Sequence, residues 1–127
     1  VELDPAVCVI DCLPNMTAEQ VAERTRPLVE QLRAARPDTP IVLVEDRDYS
    51  NGWLLTGPRN RNRTSQAALK KAYDELVAAG VKHLHYIDGP SLLGDDTEGT
   101  TDNSHPNDLG FMRQAQAMDK ILSPLCR

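Results

Sequence analysis

What this chain lacks narrows its identity before any motif is considered. No apolar run approaches the roughly 20 residues that cross a bilayer, and the start carries no secretory apolar segment. There is no initiator Met; the chain opens at Val1 as though cut from something longer. A basic excess is also missing. Lys and Arg number 14 against 19 Asp and Glu, for a net charge of −5. That balance argues against a nucleic-acid partner, because phosphate recognition needs clustered Lys and Arg. Cysteine is scarce: Cys8, Cys12 and Cys126 are an odd number, so no disulfide framework can use them all. Cys8 and Cys12 fall on one expected strand, where four residues span about 13 Å, beyond the reach of a bridge. No Cys-x-x-Cys pair supports a zinc site. Buried free thiols are the expectation, and the compartment stays open. Repeats and low-complexity tracts are absent as well.

What remains is one domain's worth of chain, 127 residues with 40% apolar and 26% charged side chains. Strand and helix alternate three times. Ala6–Leu13 is a nearly continuous apolar, β-branched run, expected as a strand buried on both faces. Thr17 stands three before Gln20, a capping box that opens a helix. Pro27 lies within that helix and should kink or split it. Ile41–Val44 is a second buried strand. Tyr49–Pro58 reads as a loop marked by Gly52, Gly57 and Pro58. A helix from about Arg61 to Ala79 follows, with Gly80 as its stop. Val81–Ile87 is a third strand, and Asp88–Thr101 a long irregular stretch of the sort that often carries function. The last helix runs from about Asn107, its N-cap, to Leu122, and is expected to bury Phe111, Met112, Ala115, Met118 and Leu122. Such alternation implies an α/β fold, a parallel sheet with helices on both faces. Chemistry in these sheets gathers beyond the carboxyl ends of the strands.

Three segments converge on that rim: Asp11 to Asn15, Glu45 to Asp48, and the stretch after Asp88. Within the last, Asp102 and His105 are three apart, just before a helix. A carboxylate so placed can reach the near nitrogen of the imidazole and leave the far nitrogen free to take a proton. Asp46 and Arg47 at the end of the second strand, with Trp53 in the loop beyond, are the candidate substrate contacts. Arg59, Arg61 and Arg63 read as a solvated basic face or, more sharply, as an anion-binding patch. His83 and His85 alternate along the third strand and, with Asp88, form a weaker metal alternative. Ser104, Ser50 and Ser91 are poor nucleophiles, since none sits in a tight strand-to-helix turn.

Asp102-x-x-His105-Pro106 with Asn107-Asp108-Leu109-Gly110-Phe111 after it resembles the last block of the SGNH hydrolases, the GDSL esterases and lipases. Asp11-Cys12-Leu13-Pro14-Asn15-Met16 resembles their Asn-bearing block, with Leu13 where a Gly is usual. The resemblance covers essentially the whole chain but only the C-terminal part of that family's domain. No Gly-Asp-Ser and no Gly-x-Ser-x-Gly occurs. The resemblance therefore implies a three-layer α/β/α sandwich of SGNH or flavodoxin-like type, with its N-terminal strands outside this chain. His105 would be the general base, Asp102 its orienting carboxylate and Asn15 an oxyanion donor, in a serine-type ester hydrolase whose Ser lies elsewhere. Implied substrates are carboxylic esters, including acylated carbohydrates; no cofactor or metal is implied. The remaining partner would be the missing N-terminal half of the domain, or another copy of the chain. The alternative is a catalytically silent ligand-binding or assembly module of the same fold. Asp11 also resembles the phosphoacceptor of receiver domains, but Glu45-Asp46 stands where Ser or Thr is needed and no Lys ends the third strand.

Overall fold

Ile41–Val44 sets the layering. These four side chains are all buried, and a strand sends alternate side chains to opposite faces. Ile41 and Leu43 enter one core cluster with Leu13, Val21, Val29, Leu69 and Leu76. Val42 and Val44 enter a second with Ile87, Leu92 and Leu93. Two cores on either side of one sheet make a three-layer sandwich. The computed structural model describes residues 3–126. In order they form β1 (Cys8–Ile10), a 3₁₀ turn (Leu13–Asn15), α1 (Ala18–Ala35), β2 (Ile41–Val44), α2 (Thr56–Ala78), β3 (Leu84–Ile87), α3 (Pro90–Leu93) and α4 (Asp108–Leu125). The sheet is parallel, in the order β1-β2-β3, with Cys8 opposite Ile41 and Ile41 opposite Leu84. Helices α1 and α2 contribute to the first core, α3 and α4 to the second.

The helix ends follow their local chemistry. Thr17 and Gln20 close the expected capping box, with the Thr17 hydroxyl accepting from the Gln20 amide at 3.3 Å. After α2, Gly80 at φ 86° lets its own N–H reach Val77 and that of Val81 reach Leu76. This is the double bond of a Schellman stop. Asn107 caps α4 by accepting from Gly110 at 2.9 Å.

Several sequence expectations change. Helix α1 runs unbroken through Pro27. The missing N–H leaves only the carbonyl of Glu23 without its helical donor, and both residues are exposed to water. Helix α2 begins at Thr56, five residues early. Pro58 sits in its first turn, where helix N–H groups have no intrahelical partner anyway. β1 is shorter than expected, and Val9 is 41% exposed rather than buried on both faces. β1 pairs only with β2, so nothing described beyond it covers Val9. On α4, Phe111 and Met112 are 62% and 51% exposed, while Met118 and Leu122 do pack on the second core. The helix buries its stripe farther along, where it crosses β3. Of the thiols, Cys8 and Cys12 are half-buried and Cys126 is exposed.

Candidate active site

Asp102 is built into a tight turn by its own carboxylate. Oδ1 accepts the backbone N–H groups of Ser104 at 3.0 Å and His105 at 2.8 Å. Oδ2 meets His105 Nδ1 at 2.7 Å. The first two bonds fix the direction of the carboxylate, and the third fixes the ring. These contacts, led by the His105 backbone N–H and then its ring, hold the Asp102 carboxyl well below the usual carboxylate range. A carboxylate kept ionised against Nδ1 favours the tautomer that leaves Nε2 as an acceptor. The imidazole is open to solvent, with 75% of its side chain exposed.

The turn is tied to the rest of the rim. Asn103, at φ 73°, offers its carbonyl to the Ser50 amide at 3.0 Å. Thr101 N–H bonds the His105 carbonyl at 2.9 Å. Gly99 and Gly110 pack backbone to backbone: a Cβ on Gly110 would stand 2.0 Å from the Gly99 oxygen. This close approach lets the start of α4 dock against the loop that leads to Asp102.

Arg47, expected to touch substrate, turns toward the same loop. Its Nε donates to the Ser104 carbonyl at 2.5 Å. Asp46 does not lie on the surface at all. It is completely buried, and neither carboxylate oxygen has a hydrogen-bond partner among the described residues. Burial raises its carboxyl to about 6 against the opposing pull of Arg47 and Arg61. Asn15 is exposed at the end of the 3₁₀ turn, and its amide enters no hydrogen bond among the described residues. The turn is anchored by Arg61, which donates to the Pro14 carbonyl at 2.5 Å and to the Tyr49 hydroxyl at 2.9 Å. Trp53 is 72% exposed and lines a cavity of ≈ 500 Å³ beside Ser50.

Sequence reasoning missed the supporting polar groups. Asn62 is buried and spans the loop after β2, accepting from Tyr49 N–H and donating to the Arg47 carbonyl, both at 2.9 Å. Gln66 donates to the Asp46 carbonyl at 2.9 Å and to Asp48 at 2.8 Å. Arg59, Asn62, Arg63 and Gln66 recur at i, i+3, i+4 and i+7, so they share one helical face. That polar stripe on an otherwise amphipathic helix was the available signal. The metal alternative loses its geometry. His83 lies outside β3 at φ 53°, and no group of three or more His, Cys, Asp or Glu among the described residues could hold an ion. No helix of the described residues is long and apolar enough to cross a membrane.

The whole arrangement has counterparts. A Bacteroides ovatus protein described as a GDSL-like lipase superposes with a TM-score of 0.91 at 31% identity, over 98% of this chain and 37% of that one. The salicylyl-acyltransferase SsfX3 of a tetracycline biosynthetic pathway shares the fold, at a TM-score of 0.74 and 17% identity, over 98% of this chain and 39% of its own. The chain thus spans well under half the length of either protein. A search of curated proteins finds no match. The sequence profile of the GDSL-like lipase/acylhydrolase family matches residues 1–123, and the chain belongs to that family.

Proposed function

We propose that residues 1–127 are the C-terminal portion of a serine-type ester hydrolase domain, supplying the base and one oxyanion donor to a Ser that lies outside them. The single observation behind this reading is the Asp102–His105 contact of 2.7 Å, made by a carboxylate already locked by two backbone amides. In the reaction, His105 Nε2 takes the proton of the Ser hydroxyl as its oxygen attacks the ester carbonyl carbon. The carbonyl oxygen becomes the oxyanion, and the Asn15 amide donates to it. His105 then returns the proton to the leaving alcohol, giving an acyl-enzyme. Water repeats the sequence and releases the acid. Asp102 orients the ring and stabilises its charged form throughout. One oxyanion donor lowers the barrier by roughly 2.7–4 kcal/mol. Arg47 and Arg61 act behind the site, as clamps on the loops that carry His105 and Asn15. Substrates are carboxylic esters, with short acyl groups on carbohydrate or small alcohols. This class follows from family analogy.

The test is fluorophosphonate labelling of the complete protein that contains this chain. Label is expected on one Ser upstream of Val1, and His105→Gln should slow labelling by about 10³-fold or more. Labelling that is absent, or indifferent to His105, sinks the reading and leaves a silent binding module in its place.

A further inference from the structure

We infer that Arg113, on the second turn of α4, is a positioning residue for His105, acting through its hydrogen bonds to the loop that leads to Asp102. The inference rests on the hydrolase reading and adds a residue to its machinery. The bonds inside the Asp102 turn fix the His105 ring relative to its carboxylate. They leave open where the turn as a whole sits. Arg47 and Ser50 tie it to the loop after β2. The other approach to the turn is the exposed stretch from Gly94 to Glu98, and α4 holds that stretch. Arg113 donates to the Leu93 carbonyl at 2.8 Å and to the two carboxylate oxygens of Asp96 at 2.7 and 2.6 Å. One guanidinium thus grips the loop where it leaves α3 and again a few residues farther on.

The grip passes along the chain in short steps. Asp96 also accepts the Glu98 N–H at 3.1 Å. The Glu98 carbonyl accepts from the Asn107 amide at 2.7 Å, and the Gly99 carbonyl from the Asn107 N–H at 3.1 Å. Arg113 and Asn107 together close the loop from Leu93 to Asn107, which carries Asp102 and His105. Gly94, at φ 83°, holds a backbone conformation suited to glycine, and a Cβ there would stand 2.8 Å from the Arg113 guanidinium. The loop is shaped around this side chain. Magnitudes separate the roles open to such a pair. An ion pair partly open to water adds little to global stability. A displacement of about 1 Å in a reacting group costs about 10²-fold in rate. The clamp therefore matters more to where His105 stands than to whether the chain folds. A planar guanidinium meets both carboxylate oxygens at once, which an ammonium group cannot do. The same contact, followed by the Glu98 amide, holds the Asp96 carboxyl well below the usual carboxylate range, so the pair stays charged at neutral pH.

In the complete protein, with p-nitrophenyl acetate as substrate, Arg113→Ala should lower kcat about tenfold, with KM changed by less than about twofold. The melting temperature should move by about 3 °C or less. Arg113→Lys should recover part of kcat. Asp96→Asn should repeat the loss more weakly, because the Leu93 bond survives. Where Arg113→Ala fails to fold, Asp96→Asn, at an exposed residue, carries the same test. The discriminating measurement is coupling. In an Asp102→Asn background, Arg113→Ala should cost less than about twofold in kcat, since the ring it positions has already lost its carboxylate. A purely structural role would cost the same in both backgrounds and would overturn the inference, as would a loss confined to KM. Nitrogen-15 spectra give a readout that needs no reaction. The His105 ring signals, assigned by their loss in His105→Gln, should show the proton held on Nδ1, and Arg113→Ala should shift them toward a mixture of tautomers. Ring signals unchanged by the substitution overturn the inference. The two proposals fail separately. A wild-type protein that takes no fluorophosphonate label loses the hydrolase reading, while the ring signals still decide the place of Arg113.

Discussion

The side chain that most needs a physical account is Asp46, a carboxylate with no accessible surface and no hydrogen-bond partner among the described residues. Such a group resists ionisation because the charged form loses its water without compensation. Its carboxyl stands at about 6, above the roughly 3.9 of an unfolded Asp. The sign follows directly. Between those values the folded chain holds a proton that the unfolded chain has released, so stability falls as pH rises through this window. Below about pH 4 the benefit is whole; above the folded value it is gone, at a cost of roughly 2–3 kcal/mol. Asp46→Asn keeps the shape without the ionisation. It is expected to stabilise the chain by about 2 kcal/mol at pH 8, with the gain shrinking toward zero at pH 4. Urea titrations of both chains at the two pH values check this, and a gain independent of pH would refute it. Arg47 gives a second prediction at this scale. Its bond to the Ser104 carbonyl steadies the turn that carries the dyad. Arg47→Ala in the complete protein should lower kcat by about tenfold or more with little change in KM, and Arg47→Lys should restore part of the loss. A change confined to KM would return Arg47 to the substrate.

At the scale of elements, the contact between α4 and the preceding loop is the most constrained. Gly110→Ala puts a methyl group 2.0 Å from the Gly99 oxygen and 3.1 Å from the Pro106 Cβ, so the backbone must move. A loss of roughly 1–3 kcal/mol is expected, even though Ala is the better helix former. Gly57 provides the contrast, since a Cβ there meets nothing within 4 Å. Gly57→Ala in the first turn of α2 should be neutral or stabilise by up to about 1 kcal/mol. Thermal unfolding of both variants tests the pair, and equal effects would deny the close approach. The same elements show how much the sequence could say. β2 was legible to the residue because Ile41–Val44 is buried on both faces, leaving its apolar run unambiguous. The caps at Thr17, Gly80 and Asn107 were legible because each acts within a few residues of chain. Pro58 misled because proline breaks a helix interior yet suits a first turn, and only the folded helix distinguishes the two. At the site, the Asp102-x-x-His105 spacing forecast the 2.7 Å contact because both partners lie on one turn. Asp46 and Arg47 were drawn to the rim by their place at the end of β2. Strand alternation and tertiary packing decide where such side chains point, and those depend on α2 and on the turn near Ser104, far away in sequence.

Considered whole, the sheet ends at β1 on one side and at β3 on the other, and among the described residues neither edge strand pairs with a further strand; the β1 edge is the one that carries an exposed apolar side chain. β1 has a neighbour on the β2 side only. Val9 pairs with Val42 and so belongs to the face that α4 covers farther across the sheet, yet it remains 41% exposed. Unpaired strand groups beside an uncovered apolar side chain form a template for another strand. The solved relatives are longer than this chain by more than twofold; on the function proposed above, the rest of the domain would cover this edge, with another copy of the chain as the substitute in its absence. The 127 residues alone are therefore expected to self-associate at about tens of micromolar or above, as read by sedimentation equilibrium. Val9→Lys should shift that population to monomer, because a charged edge side chain resists pairing. In the complete protein the same substitution should act in the opposite sense. With the edge filled, the introduced ammonium group would be buried without a partner, and the domain should lose several kcal/mol of stability. A chain that stays monomeric and cooperatively folded with Val9 in place, together with a complete protein indifferent to the substitution, would show that β1 is a finished edge.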